Sequence, residues 1–414
     1  MPGGAQRRRR RKARQAPPPP IHSLGEDLLL EIFLRLPSLP ALVRAACVCR
    51  AWRRAVASSP TFRRRFRALH PPPLLGIFFD AATPVRRPAF PSFVPTLPSD
   101  RDQAAAVRGG DFFLTSLHDH PGETTCWLMM DCHRGYVLLA DCVSESFAVM
   151  NPLTRRIERL PVSSTLFPSF WDDKIHHLAP RLLCSDQDPA SFRVLLLDHE
   201  ESGVRATVFS SDTGEWSILP SLEVDIPLLE EEVNVQMNGI LYWVCEDWRR
   251  LVSLDTSAMD FSITELPHCL RWSRFGISQT YDGTARIVYA DGLNVGVLVH
   301  TRDDDDGVEK WVLDRVVPME TELKRVLQDE LYDDDDGVSE LHVFAVHDDC
   351  VYLTTSALAE EPQKPCCFLS LCLETMKLEK LCWRTYDSCV YPYIMAWPSC
   401  LVGNRGRFAV GDAP

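Results

Sequence analysis

The chain has 414 residues, 45% of them apolar, 24% charged and 9% aromatic, with a formal net charge of −13. This is a globular composition on a chain longer than one hydrophobic core ordinarily serves, so two domains or a large repeat array are expected. No apolar run reaches the roughly 18 to 20 residues that cross a bilayer, and fifteen Cys behind an N-terminus with no apolar secretory core read as reduced, buried thiols of a cytosolic or nuclear protein; a disulfide scaffold, a collagen, a coiled coil and a membrane span are excluded.

Residues 1–20 carry Arg7 to Arg11, Lys12 and Arg14, then Pro17 to Pro20, and no acidic residue. Such a run is expected to be a solvated arm. Its functional reading is a nuclear import signal, which places the protein in the nucleus, the cytoplasm or both, and its bland reading is a tail without a role. Residues 21–70 set nine Arg against Glu26, Asp27 and Glu31, a balance of +6, which leaves 71–414 at −26. A bulk this acidic is not expected to contact nucleic acid directly, since phosphates call for a basic face.

From Ile21 to His70 the apolar period is helical. Ser23 with Glu26 reads as a capping box, Leu28, Leu29, Ile32, Phe33 and Leu36 recur at three- and four-residue steps, and Pro37 ends the run. Ser38 is placed to cap a second helix, Cys49 to Val56 suggest a third, and Ser59-Pro60 opens a fourth. So small a bundle cannot bury all its Leu and Ile, and those left outside mark a partner surface.

The stretch Ser23-Leu24-Gly25-Glu26-Asp27-Leu28-Leu29-Leu30-Glu31-Ile32, closed by Val48-Cys49-Arg50-Ala51-Trp52-Arg53, resembles an F-box, with Gly25 where that family usually has Pro. The resemblance implies docking on the Skp-type adaptor of SCF ubiquitin ligases, and through it on a cullin-RING complex. The adaptor-binding ridge it implies is Leu24, Leu28, Leu29, Ile32, Leu36, Leu39, Leu42, Val48 and Trp52, with Trp52 as the anchor. The competing reading makes Val48 and Trp52 part of the module's own core.

Beyond Phe78 helical periodicity nearly vanishes. Short apolar runs at 135–139, 193–197, 239–244, 285–289 and 350–353 alternate with Gly, Asp, Asn and Pro. Phe147 to Pro161 aligns without a gap on Ala206 to Pro220, each a strand, a polar turn, a strand and Leu-Pro, with weaker copies at 252–267, 297–318 and 369–382. Short strands repeating at about 50 residues are the mark of a β-propeller, here of six or seven blades; a β-sandwich array with coincidental turns is the alternative. The expected fold is therefore multidomain, α plus all-β, with a three- or four-helix module ahead of the propeller.

Asp131-Cys132-His133-Arg134-Gly135, Val149-Met150-Asn151-Pro152-Leu153-Thr154-Arg155, Asn238-Gly239-Ile240-Leu241-Tyr242-Trp243 and Tyr391-Pro392-Tyr393-Ile394-Met395-Ala396-Trp397-Pro398 resemble the F-box-associated propeller of plant F-box proteins, closest to the large grass families. The resemblance implies a propeller that recruits a protein substrate, without shared substrate-contact residues to carry over. The organisation expected is a basic, Pro-rich tail at 1–20, the F-box at 21–68, a connecting segment and the start of the propeller at 69–107, the propeller at 108–405 and a tail at 406–414.

Catalytic motifs fail on spacing. The chain holds no Gly-x-Ser-x-Gly, His-Glu-x-x-His, phosphate-binding Gly loop or Cys-x-x-Cys. The runs Asp303 to Asp306 and Asp333 to Asp336 each precede Gly-Val, but a calcium loop with Gly307 or Gly337 at its sixth position would begin on Arg302 or Tyr332 and end on Leu313 or Val343, which are not acidic. His118-Asp119-His120 and His176-His177 lack a third ligand at fixed spacing. Cys366-Cys367 are neighbours expected in or beside a strand. The sequence thus describes a non-catalytic receptor subunit without cofactor, metal or membrane, taking an adaptor and an unknown protein substrate. Two other readings stay open: a cullin-independent scaffold, and a propeller enzyme betrayed by perturbed carboxylates or histidines at a central channel.

Overall fold

The computed structural model describes residues 24–80, 90–96, 101–117, 125–161, 177–184, 191–200, 203–219, 234–237, 239–245, 247–271, 273–280, 283–302, 309–327, 338, 340–355, 365–385 and 389–402. They fall into two units, one ending at His70 and one running from Pro71 to Val402.

The first unit is α1 (Glu26–Leu34), α2 (Leu39–Ala46), α3 (Arg50–Ser58) and α4 (Pro60–Leu69). The capping box is corrected: Gly25, not Ser23, is the N-cap of α1 and offers no side chain, while Ser23 lies outside the described residues. With Glu26 in the first position instead of the third, its carboxylate makes no bond back to the cap; it accepts from Ser58 Oγ at 3.4 Å and, with Asp27, favourably complements the positive N-terminal end of the helix dipole. The other two caps form as the sequence requires. Ser38 Oγ accepts from the Ala41 N–H at 3.4 Å and Ser59 Oγ from the Phe62 N–H at 3.2 Å, each beside a Pro whose missing N–H costs nothing in a first turn. Replacing either serine by Ala is expected to cost about 1 kcal/mol, read as a lower urea midpoint of the helical far-UV signal. Leu29, Phe33, Leu42, Ala46, Val56, Phe62 and Phe66 form the buried interior. Arg63, also buried, directs Nη1 to the Ala57 carbonyl at 2.5 Å, which keeps its charge hydrogen-bonded.

In the second unit β1 (Leu74–Phe79), β2 (Ser92–Pro95) and α5 (Arg101–Gly109) come first. They are followed by β3 (Trp127–His133), β4 (Tyr136–Asp141), β5 (Ser146–Asn151), β6 (Arg156–Leu160), β7 (His177–Cys184), β8 (Phe192–Glu200), β9 (Gly203–Ser210) and β10 (Glu215–Ile218). Next are β11 (Asn234–Met237), β12 (Ile240–Val244), β13 (Arg250–Asp255), β14 (Asp260–Glu265), β15 (Phe275–Gln279), β16 (Ala285–Asp291), β17 (Asn294–Arg302) and β18 (Glu309–Pro318). Then come α6 (Glu320–Leu327), β19 (His342–His347), β20 (Cys350–Thr354), β21 (Pro365–Cys372), β22 (Leu378–Thr385) and β23 (Val390–Ile394).

Neighbouring strands pair antiparallel throughout. Five consecutive meanders, β3–β6, β7–β10, β11–β14, β15–β18 and β19–β22, make four-stranded sheets, and the sixth sheet is β2-β1-β23. This is a six-bladed propeller, within the expected range. Its ring closes by pairing the last strand with the first, Leu74 to Phe79 against Ile394 to Val390.

Each junction between successive blades has its own apolar cluster: β3–β6 with β7–β10, β7–β10 with β11–β14, β11–β14 with β15–β18, β15–β18 with β19–β22, that blade with the closing sheet, and the closing sheet with β3–β6. The alternation of a strand explains the pattern. On β4, Tyr136, Leu138 and Ala140 serve one junction while Val137 and Leu139 serve the other. On β8, Val194 and Leu196 face backward and Leu195 and Leu197 forward. A strand buried on both faces is apolar at nearly every position, which is why the apolar runs of the sequence are the second strands of the five complete blades, β4, β8, β12, β16 and β20, with Arg193 and Arg286 as charged exceptions. The repeated unit is the outer hairpin of each, with its polar turn at 152–155 and again at 211–214.

Two helices break the all-β reading of this part. α6 displays its signals, with Leu323 and Leu327 buried four residues apart and Glu320–Lys324 and Glu322–Arg325 pairs on the outer side. α5 has no fully buried residue, so no apolar stripe announces it.

Candidate functional site

The nine ridge residues separate by exposure. Leu28 and Ile32 lie one turn apart on α1 and are 60% and 43% exposed, and Val48, in the turn between α2 and α3, is 62% exposed. Large apolar side chains left outside a four-helix unit are a surface in want of a partner. Leu24, Leu36 and Trp52 are half-buried. The indole of Trp52 meets Phe33 edge to face, centroids 5.5 Å apart, so Trp52 both packs inward and remains reachable. Leu29, Leu39 and Leu42 are buried within the bundle and present no surface in this conformation. Leu69, at the end of α4 and 60% exposed, is an outward apolar residue the sequence reading passed over; its position at the last turn before Pro71 was the available signal.

In the second unit one cluster of perturbed groups, Asp131, Cys132, His133 and Cys184, lies on β3 and β7. β3 carries a register shift between Met129 and Asp131, and β7 one between Leu178 and Arg181. The two irregularities meet: Asp131 Oδ2 accepts from the Leu182 N–H at 2.7 Å, Oδ1 accepts from the Cys132 N–H at 2.8 Å, and Arg181 Nη1 lies 3.8 Å from Oδ1. Burial pushes the Asp131 carboxyl up, against the pull of Arg181 and the two N–H groups. Oδ2 thus joins adjacent blades while Oδ1 is held by its own strand and faces Arg181 of the next, which is a structural use of a buried carboxylate. Similar links recur around the ring. Arg286 reaches Ser278 Oγ at 2.7 Å, the Asp348 carbonyl and Asp349 Oδ1 at 2.7 Å, Arg193 reaches the Thr256 carbonyl at 3.0 Å, and the Tyr391 and Tyr393 hydroxyls donate to the carbonyls of Met129 and Gly135 at 2.9 and 3.0 Å.

Gly135 itself sits at φ +80° in the tight β3–β4 turn, where a Cβ would strike Ala396. The motif Asp131-Cys132-His133-Arg134-Gly135 is therefore a joint between blades and a turn beneath the closing strand.

Beside it, burial holds the His133 imidazole well below its ordinary value, with help from Arg134 and His347. Arg134 Nε donates to His133 Nε2 at 3.2 Å, which requires an unprotonated nitrogen. The unfolded chain takes up a proton at this histidine below about pH 6.5 and the folded one does not, so stability falls as pH drops from 7 toward 5. His133→Gln is expected to flatten that slope, measured as urea midpoints across the same pH range.

Burial likewise pushes the Cys245, Cys350 and Cys366 thiols up to about 11, so they are protonated at neutral pH. Cys366 and Cys367 both lie buried on β21. No group of three His, Cys, Asp or Glu among the described residues is arranged to hold a metal ion. His118-Asp119-His120, His176, the side chain of His177, Asp303 to Asp306 and Asp333 to Asp336 lie outside the described residues.

A family model described as F-box protein AT5G49610-like, beta-propeller, matches residues 128–401, and an F-box-like model matches 21–68. Among solved structures, TolB from Acinetobacter baumannii is 10% identical with a TM-score of 0.36, over 72% of this chain and 63% of that one. A nidogen/laminin complex is 11% identical with a TM-score of 0.30, over 63% and 80%. Oligogalacturonate lyase in complex with manganese is 12% identical with a TM-score of 0.31, over 61% and 64%. The chain thus spans under two thirds of the length of the first of these structures. No curated protein matches the sequence. An F-box-like domain implies, as a family property, binding to a Skp-type adaptor, and F-box propeller proteins are typically non-catalytic.

Proposed function

We propose, from the premise that this chain belongs to the family of F-box proteins with an AT5G49610-like β-propeller, that it is the substrate-recognition subunit of an SCF-type cullin-RING ubiquitin ligase. The helical unit docks the Skp-type adaptor and the propeller holds the target protein. Isopeptide chemistry belongs to the other subunits; this chain supplies proximity, turning a bimolecular encounter into a tethered one. The observation that carries the reading is the outward placement of Leu28, Ile32 and Val48, with Trp52 still reachable, on a unit whose interior is already filled by other residues.

Asp131, the one propeller carboxyl pushed up among the described residues, supports a receptor over an enzyme, because it is engaged in joining blades. The test is co-expression with a Skp-type adaptor and purification on the adaptor's tag. A stoichiometric complex supports the reading; a folded, soluble protein that is not retained overturns it.

A further inference from the structure

Charge on the helical unit is segregated as well as unbalanced. Its nine arginines face three carboxylates, and of these Glu26 and Asp27 stand at the N-terminus of α1 while Glu31 is engaged by Arg65 at 2.6 Å. Arg35, Arg50, Arg53 and Arg54 are exposed and enter no ion pair among the described residues. Their positions follow the apolar residues closely. Arg35 is one turn beyond Ile32, Arg50 comes two residues after Val48 as α3 begins, Arg53 adjoins Trp52, and Arg54 continues the outer side of α3 one turn on from Arg50. Exposed, unpaired guanidinium groups repel one another, and they are retained at least cost where a partner's carboxylates complete them.

We propose that the surface docking the apolar ridge is rimmed by acidic residues, so that Arg35 at the end of α1 and the arginines of α3 steer an acidic adaptor onto Leu28, Ile32 and Val48. This rests on the adaptor reading given above. The division of labour is physical: apolar burial at the centre sets how long the complex lasts, and rim charge sets how fast it forms. A nucleic acid would also be drawn to guanidinium groups, but it has no use for three exposed aliphatic side chains among them, and the protein partner is therefore favoured.

The experiment measures association and dissociation rates of the full-length protein with a purified Skp-type adaptor at low and high sodium chloride, with a DNA duplex as competitor. Residues 1–20 carry seven further basic side chains, so the wild type is compared with the triple variant Arg50→Glu, Arg53→Glu, Arg54→Glu and with the corresponding Arg→Lys triple. The wild-type association rate is expected to fall by about ten-fold or more from 0.05 to 0.5 M salt. The Glu triple should associate slowly at low salt with a flattened salt response and a dissociation rate within about two-fold of wild type, and the Lys triple should restore the fast rate.

A complex that forms at the same rate in both salts, or equally fast with the Glu triple, overturns the inference while leaving the adaptor reading intact. Displacement of the adaptor by the duplex, or a triple that loses only duplex binding, overturns it in favour of a nucleic-acid surface. Absence of any wild-type complex removes the adaptor reading and this inference together.

Discussion

Leu28→Asp combined with Ile32→Asp is expected to abolish retention on a Skp-type adaptor while leaving the helical unit folded. Both side chains are largely outside the core, at 60% and 43% exposure, so exchanging them for carboxylates removes little packing. In a complex the same positions are enclosed. Burying a Leu or Ile side chain contributes about 1.5–3 kcal/mol, and an unpaired carboxylate in its place adds a desolvation penalty on top of that loss. Together the two substitutions should weaken binding by about a thousand-fold or more, since each 1.4 kcal/mol is about ten-fold.

The informative contrast is Leu42→Asp. Leu42 is fully buried on α2, so that variant should also lose binding, but through unfolding of the helices. The checks are calorimetric titration with the adaptor and far-UV melting of each variant. A doubly substituted protein that binds as tightly as wild type would remove Leu28 and Ile32 from the interface.

How much of this was legible in the sequence follows from what each strand touches. Second strands such as Tyr136-Val137-Leu138-Leu139 are sandwiched between two clusters and are apolar at nearly every position, so they stand out without any knowledge of the fold. Outer hairpins stand out because a polar turn recurs between two short strands, as at Asn151 to Arg156 and Ser210 to Glu215. First strands do not. β3 and β7 are interrupted by register shifts and carry Asp131 and Arg181 for partners about 50 positions away in the chain, so the apolar stretch of β3 stops at Met130 and that of β7 is broken at Arg181.

The candidate site was legible as a motif and not as a surface. Helical periodicity places Leu28, Leu29, Ile32 and Phe33 together, but which of them point outward depends on α3 and α4, which cover Phe33 and Leu29 and leave Leu28 and Ile32 uncovered. The bare cap of α1 is a similar case. Ser23 and Glu26 have the spacing of a capping box, yet α1 takes Gly25 as its N-cap and the Glu26 carboxylate turns instead to Ser58 of α3.

Closure of the ring should be the propeller's most sensitive junction, and Tyr393→Ala the substitution that exposes it. Every other junction joins blades that follow one another in the chain, whereas β23 meets β1 across more than 300 residues of sequence, and nothing covalent restores that pairing once it opens. Tyr393 is fully buried on β23, its ring edge-on to Phe78 and Phe112 at 5.9 and 5.0 Å, with Phe93 beyond at 6.5 Å. Removing so large a buried aromatic side chain costs about 3–5 kcal/mol, a large part of the 5–15 kcal/mol that typically separates a folded domain from its unfolded state.

The hydroxyl can be tested apart from the ring. It donates to the Gly135 carbonyl at 3.0 Å, inside the turn that ends β3, and Tyr393→Phe leaves that carbonyl buried without its donor at a cost of about 1–3 kcal/mol. The expected order of urea midpoints is therefore wild type, then Tyr393→Phe, then Tyr393→Ala, with proteolysis of the Ala variant beginning near β1 and β23. Leu254→Ala, an equally buried change at a junction of consecutive blades, should leave cleavage at those strands slow. Matching proteolysis patterns for Tyr393→Ala and Leu254→Ala would mean that closure is no weaker than any other junction of the ring.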